Sequence, residues 1–190
     1  MFDVDEFLAE CSEAVVATEP RSAVREVLER AVQRPEQVAR ALPATRGELV
    51  PLHASEQLTV LKVVWGPGMR FRPHNHLMWA AIGLYGGQED NTFYRRSGDG
   101  IVVSGGRELR SGDVALLGDD TIHAVENPRR TFTGAIHVYG GDITARPGRS
   151  EWEDDTGREI DYDFERTRRY FESFTGPTES DRSSNTDAVR

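Results

Sequence analysis

The sequence predicts an all-β barrel behind a helical preface, and three observations carry that reading. Six short runs rich in β-branched and aromatic residues follow one another between positions 58 and 141. Glycine-rich turns ("SGDG", "SGG", "RSGD", "GDD") separate them at the close spacing of a barrel or sandwich. No helical periodicity lies between the runs, which argues against a parallel α/β sheet, because parallel strands need crossover connections.

Residues 1–47 read as a helical segment packed on the barrel. Phe7, Leu8, Cys11 and Val15, and then Val24, Val27, Leu28, Ala31 and Val32, recur at intervals of three and four. Pro20 and Pro35 stand where new helices would begin. Residues 48–146 carry the strand-like runs: "LTVLKVVW", "MWAAIGLY", "NTFYRR", "GIVVS", "VALL" and "RTFTGAIHVYGG". Residues 147–175 open as a polar, irregular stretch and then offer a short C-terminal helix, "DFERTRRYFESF", whose Phe164, Phe171 and Phe174 are placed to cover a barrel face. Residues 176–190 hold almost nothing to bury and are expected to be a disordered tail.

At 190 residues the chain suits one domain with a sizeable core. Its net charge of −9, with no basic patch interleaved with aromatic residues, points away from nucleic acid. No apolar run approaches the ~20 residues of a membrane helix. The acidic start, Met1-Phe-Asp-Val-Asp-Glu, does not resemble a secretory signal, so the expected location is the cytoplasm. One cysteine, Cys11, cannot form an internal disulfide and falls on an apolar helical face, where a buried role is expected. Lys62 is the only lysine among 23 basic residues, a pattern ascribed to coding bias rather than to function.

Chemistry concentrates in "RPHNHLMWAAIGLYGG", residues 72–87. On a strand, His74 and His76 point to one face and present both rings to one region of space. Neutral imidazoles so placed are ligands for iron, zinc, copper or nickel. Gly68 precedes the pair by five intervening residues and Gly87 closes the segment. A second stretch, "GDVALLGDDTIHAVEN", sets Gly112, Gly118, His123 and Asn127 in order.

These two stretches resemble the paired motifs of the cupin superfamily, Gly-x5-His-x-His-x3/4-Glu-x6-Gly and Gly-x5-Pro-x-Gly-x2-His-x3-Asn. The resemblance implies a cupin double-stranded β-helix barrel, with His123 brought opposite His74 and His76 to bind a metal. The chain departs from the pattern at the glutamate, where Ala80 and Ala81 stand, leaving three neutral ligands. It departs again where Gly118 replaces the proline and Asp120 the second glycine. By ligand type alone, such a site suits Fe(II) open to an anion and dioxygen, and equally zinc over an activated water.

A third stretch, "GAIHVYGG", alternates Ala135, His137 and Tyr139 on one strand face. It is similar to the Ser-x-His-x-Tyr series of the thiol dioxygenases, the cupin family of cysteine dioxygenase and the bacterial mercaptopropionate dioxygenases. "VVWGPGMRFRPHNHLMWAAIGLYGG" also resembles the bacterial members. The resemblance covers roughly residues 48–146. It implies an enzyme holding Fe(II) through His74, His76 and His123 and oxidising a small thiol, usually one bearing a carboxylate, to its sulfinic acid with O2. It also implies catalytic roles for Tyr139 beside the bound reactants and for His137 orienting Tyr139. Ala135 replaces the family serine. Ala81 stands where some members carry a cysteine linked to the tyrosine. Arg146 is the expected substrate carboxylate ligand.

A non-redox metal cupin acting as isomerase or hydrolase, and a metal-dependent binding module, are the alternatives from other functional classes. Arg70, Arg72, Met78, Trp79 and His53 are expected to be structural or solvated, and the acidic pair at Glu89 to face water. Substrate identity and oligomeric state are not legible in the residues.

Overall fold

The computed structural model describes residues 1–175; the tail expected to be disordered, 176–190, lies outside the described residues. Helices α1 (Val4–Ala14), α2 (Pro20–Val32) and α3 (Pro35–Ala41) come first. Asp3 starts α1 by accepting the Glu6 N–H at 3.0 Å. The expected prolines open α2 and α3, where a missing N–H loses no helical bond.

Eleven strands follow: β1 (Glu48–Ala54), β2 (Thr59–Trp65), β3 (Arg70–Asn75), β4 (Ala80–Gly86), β5 (Gln88–Ser97), β6 (Gly100–Arg110), β7 (Val114–Leu117), β8 (Ile122–Glu126), β9 (Thr133–Tyr139), β10 (Ser150–Trp152) and β11 (Glu159–Asp161). Helix α4 (Phe164–Glu172) closes the described chain. The strands form two sheets, ordered β1-β2-β9-β4-β7 and β11-β10-β3-β8-β5-β6.

The pairing defines the architecture. β2 pairs with β9, β3 with β8, β4 with β7 and β5 with β6, all antiparallel. One long ribbon, with its bend between β5 and β6, is therefore wound so that successive strands pass from one sheet to the other. This is a double-stranded β-helix, and closing the ribbon on itself leaves few unpaired strand edges.

Two apolar layers hold it. Leu61, Val63, Trp65, Ile82 and Leu84 face the space between the sheets. Val60, Ala81, Ile136 and Val138 face outward under Val24, Leu28 and Val32 of α2. Because both faces of this sheet are covered, β2, β4 and β9 read as continuous apolar runs rather than alternating ones. Gly83 lets α2 approach β4: a Cβ there would sit 3.1 Å from both Leu28 Cδ2 and Val32 Cγ1. Gly87, where the chain crosses between sheets, has φ of +79° and lies so close to Thr133 that a Cβ would fall 2.1 Å from its Oγ1.

Cys11 is fully buried on α1, as its helical spacing predicts, and burial pushes its thiol up to about 12. The polar stretch after Arg146 differs from expectation. It contains β10 and β11, and β10 extends the second sheet by registering Glu151 against His74 of β3. Polar composition hid these strands because they are three residues each and pair at a sheet edge.

Candidate metal centre

His74 lies on β3, His76 just beyond its end, and His123 on β8. His74 and His123 are direct cross-strand partners. Leu77, with φ of 54°, takes the left-handed conformation immediately after His76 and turns the chain toward β4. All three imidazoles are buried, and one nitrogen from each lies within 4.8 Å of the others.

The orientations are those of ligands. His74 Nδ1 lies 3.1 Å from the Arg72 carbonyl and His123 Nδ1 lies 2.7 Å from Asn91 Oδ1, so both rings donate outward through Nδ1. Their Nε2 atoms consequently point inward as lone pairs. His76 Nε2 lies 3.2 Å from His74 Nε2 and 3.4 Å from His123 Nε2. For metal–nitrogen bonds of ~2.1 Å, nitrogens subtending roughly 90–110° stand about 3.0–3.4 Å apart. The lone pairs of His74 and His123 both face His76 Nε2, His76 Nδ1 is buried without a partner, and the donor set fits a cation placed between the three Nε2 atoms.

Burial, with the other imidazoles adding to it, holds His74 and His76 well below the ordinary histidine range. Burial also lowers His123, to about 4, against the opposing pull of Glu89. The three rings are therefore neutral near pH 7, the form that binds metals.

The histidines open into a cavity of about 430 Å³, the open solvent at its mouth included. Tyr139 and His137 line the same cavity from β9. His137 Nδ1 is 3.1 Å from the Tyr139 hydroxyl. Burial raises the phenol above its ordinary range, so it stays protonated. Apolar walls come from both sheets and from Phe164 and Phe171 of α4, which roofs the space as its sequence pattern predicts. Gly47 and Gly66 admit this roof, for a Cβ on either would strike Phe171 or Phe174.

The structure does not bring Arg146 to the site. Arg146 is exposed, in the connection before β10. The arginine of the cavity is Arg149, three residues on, buried because β10 joins the sheet beside β3. Its Nε donates to the Asn75 carbonyl at 3.1 Å, its Nη1 to the Ile143 carbonyl at 2.9 Å, and its guanidinium lies over the Tyr162 ring.

Glu89 also differs from expectation. It is fully buried rather than facing water, accepting from Trp65 Nε1 at 2.8 Å and from Asn91 Nδ2 at 3.0 Å. Desolvation alone would raise this carboxyl, but His137, Asn91 and His123 outweigh it and hold Glu89 below the ordinary value. A sequence signal existed: Glu89, Asn91 and Phe93 alternate on β5, but a strand expected to start at Asn91 leaves Glu89 outside it. Arg149 and Tyr162 gave no such signal. Arg70 is exposed, Arg72 is half-buried beside Glu151, and Met78 belongs to the core.

No family model matches this sequence. Solved structures with similar folds include an RmlC-like cupin with a double-stranded β-helix from Methanocaldococcus jannaschii, at 11% identity and TM-score 0.45, the match covering 53% of this chain and 85% of that one. A Klebsiella pneumoniae protein with a double-stranded β-helix domain matches at 17% identity and TM-score 0.42, over 55% of this chain and 82% of that one. An oxalate oxidase in complex with the substrate analogue glycolate matches at 19% identity and TM-score 0.39, over 49% of this chain and 45% of that one.

Proposed function

We propose that the chain is an Fe(II)-dependent thiol dioxygenase, converting a small thiol bearing a carboxylate to its sulfinate. The balance is RSH + O2 → RSO2⁻ + H⁺, with sulfur the atom oxidised and both oxygen atoms retained. The observation that supports this reading is the convergence of three neutral imidazoles, the His137–Tyr139 pair and Arg149 on one small cavity.

His74, His76 and His123 would hold the ion. Bound Fe(II) would supply the open coordination positions and electron exchange that let O2 react with the thiol. The missing carboxylate matters here, since Ala80, the interior residue at the expected glutamate place, adds no negative charge. No carboxylate ligand then offsets the ion's charge, which favours a thiolate over a neutral thiol. Arg149 receives the substrate carboxylate through Nη2, the edge not committed to backbone carbonyls. Tyr139, held by His137, presents its phenol oxygen to the polar side of the cavity. The roof of α4 excludes water and strengthens each of these interactions. Fixing the thiol and its carboxylate at two points removes much of the entropic cost of their encounter with oxygen.

The test is oxygen consumption by anaerobically iron-loaded protein across a panel of thiols, with mass detection of products. The reading predicts uptake with at least one carboxylate-bearing thiol and a product heavier by two oxygen atoms. No uptake with any thiol, together with turnover by zinc-loaded protein, would assign the site to non-redox chemistry instead, to which a neutral three-histidine set also lends itself.

A further inference from the structure

Glu89 touches none of the groups assigned above to substrate, yet a line of polar atoms passes through it, open only at its approach to His137. Its Oε1 accepts from Asn91 Nδ2 at 3.0 Å, and Asn91 Oδ1 lies 2.7 Å from His123 Nδ1. Its Oε2 accepts from Trp65 Nε1 and faces His137 Nε2 across 3.6 Å, while His137 Nδ1 meets the Tyr139 hydroxyl. His137 Nε2 is buried without a hydrogen-bond partner. The separation from Glu89 exceeds hydrogen-bond length, but it leaves a carboxylate oxygen as the nearest charge to an unpartnered ring nitrogen.

The direction of every bond follows from one fact: an ionised carboxylate only accepts. Asn91 must turn its NH2 toward Glu89, which leaves its carbonyl for His123. His123 must then carry its proton on Nδ1, so the Nε2 lone pair enters the cavity. On the other side, a ring lone pair aimed at Oε2 would be repelled, so His137 carries its proton on Nε2 and accepts from Tyr139 through Nδ1.

We infer that Glu89 is a positioning residue that sets the tautomers of both His123 and His137, and so directs one ligand lone pair and the Tyr139 hydroxyl from a single buried charge. It supplies at His137 the orientation that the methyl of Ala135 cannot. The His123 arm rests on the metal reading proposed above; the His137 arm does not.

Glu89→Gln tests this without changing shape. A glutamine accepts on one side only. To keep the Trp65 bond it must offer its NH2 to Asn91, which then flips and donates to His123 Nδ1, driving the His123 proton onto Nε2. Two measurements apply: titration of metal-free protein with Co(II), followed by its ligand-field absorption, and imidazole nitrogen NMR of the metal-free protein. Disturbing an outer partner of a metal ligand typically weakens binding about 10–100-fold, and that loss is expected for E89Q. NMR should show His123 moved from the Nδ1–H to the Nε2–H form; His137 should be Nε2–H in wild type and, because the glutamine keeps an oxygen toward it, in E89Q too, and a wild-type His137 with its proton on Nδ1 would overturn the His137 arm.

The double variant E89Q/N91D moves the carboxylate one step along the line. The amide now at position 89 donates to the carboxylate now at position 91, whose other oxygen accepts from His123. Co(II) affinity should then return to within about threefold of wild type, well inside the 10–100-fold loss. Circular dichroism confirms that each variant is folded. Wild-type-like Co(II) binding and an unchanged His123 tautomer in folded E89Q would overturn the inference. So would a folded double variant that stays as weak as E89Q. Failure of the wild-type protein to bind Co(II) would count against the metal reading, and the two tautomers would still decide the role of Glu89.

Discussion

The guanidinium of Arg149 lies over the ring of Tyr162, 3.6 Å from its centroid. Stacking fixes the plane of the guanidinium, and the two backbone bonds fix its rotation within that plane. A lysine would offer a point charge in place of this fixed edge. R149K should raise KM for carboxylate-bearing thiols by roughly 10–100-fold, the worth of one hydrogen bond to a charged group. A thiol lacking the carboxylate should be affected much less. R146A, at an exposed position, should match wild type. Steady-state kinetics over paired substrates checks this, and equal losses for both substrates would contradict it.

Under the proposed function Tyr139 faces the reacting atoms, His137 orients it, and neither holds the ion. Y139F and H137A should therefore each lower kcat by roughly 10²-fold, the lower end of proton-handling contributions, while leaving iron content unchanged. Parallel metal analysis and turnover measurements separate this from a structural defect, which would lower both.

The histidine cluster makes the metal-free protein acid-sensitive, and the sign follows from the depressed values. His123 is lowered to about 4, and His74 and His76 lie well below 6.5, all by burial first. The unfolded chain then binds more protons than the folded protein as pH falls from about 6.5 toward about 4, so stability falls through that window. His123 alone accounts for a loss of order 3 kcal/mol. Denaturant melts of metal-free protein at pH values spanning the window should show a falling midpoint. A flat profile would show that the three rings are not held neutral.

Phe171 is 1% exposed and packs on Trp65, with ring centroids 4.7 Å apart. F171A should cost about 3–5 kcal/mol, as aromatic truncations in a core do, and should open the cavity to water. Urea unfolding measures the first effect. Tryptophan fluorescence, shifted to the red as Trp65 becomes hydrated, measures the second.

What could be read from the residues beforehand divides along physical lines. The helices, their starting prolines and the α4 roof were legible because periodicity and proline are local properties of the chain. The convergence of His74, His76 and His123 was legible because motif spacing and strand alternation both constrain it. Strand alternation likewise placed His137 beside Tyr139. That Arg149 rather than Arg146 lines the cavity is not legible, because the position of the connection leading into three-residue β10 depends on pairing with β3, which is not local. Glu89 looked like a solvated acid because its charge is tolerated only through Trp65, Asn91 and His137, which lie on two other strands as well as its own. Each miss is a polar group whose environment is made by distant parts of the sequence.

The proposed function requires three imidazoles to hold one cation, and metal analysis after anaerobic loading with Fe(II) and desalting tests that directly. It predicts about one iron per chain in the wild-type protein and near-complete loss in folded H74A, H76A and H123A, as removal of one of three protein ligands requires. Iron retained equally by all four proteins, or by none of them, would contradict it.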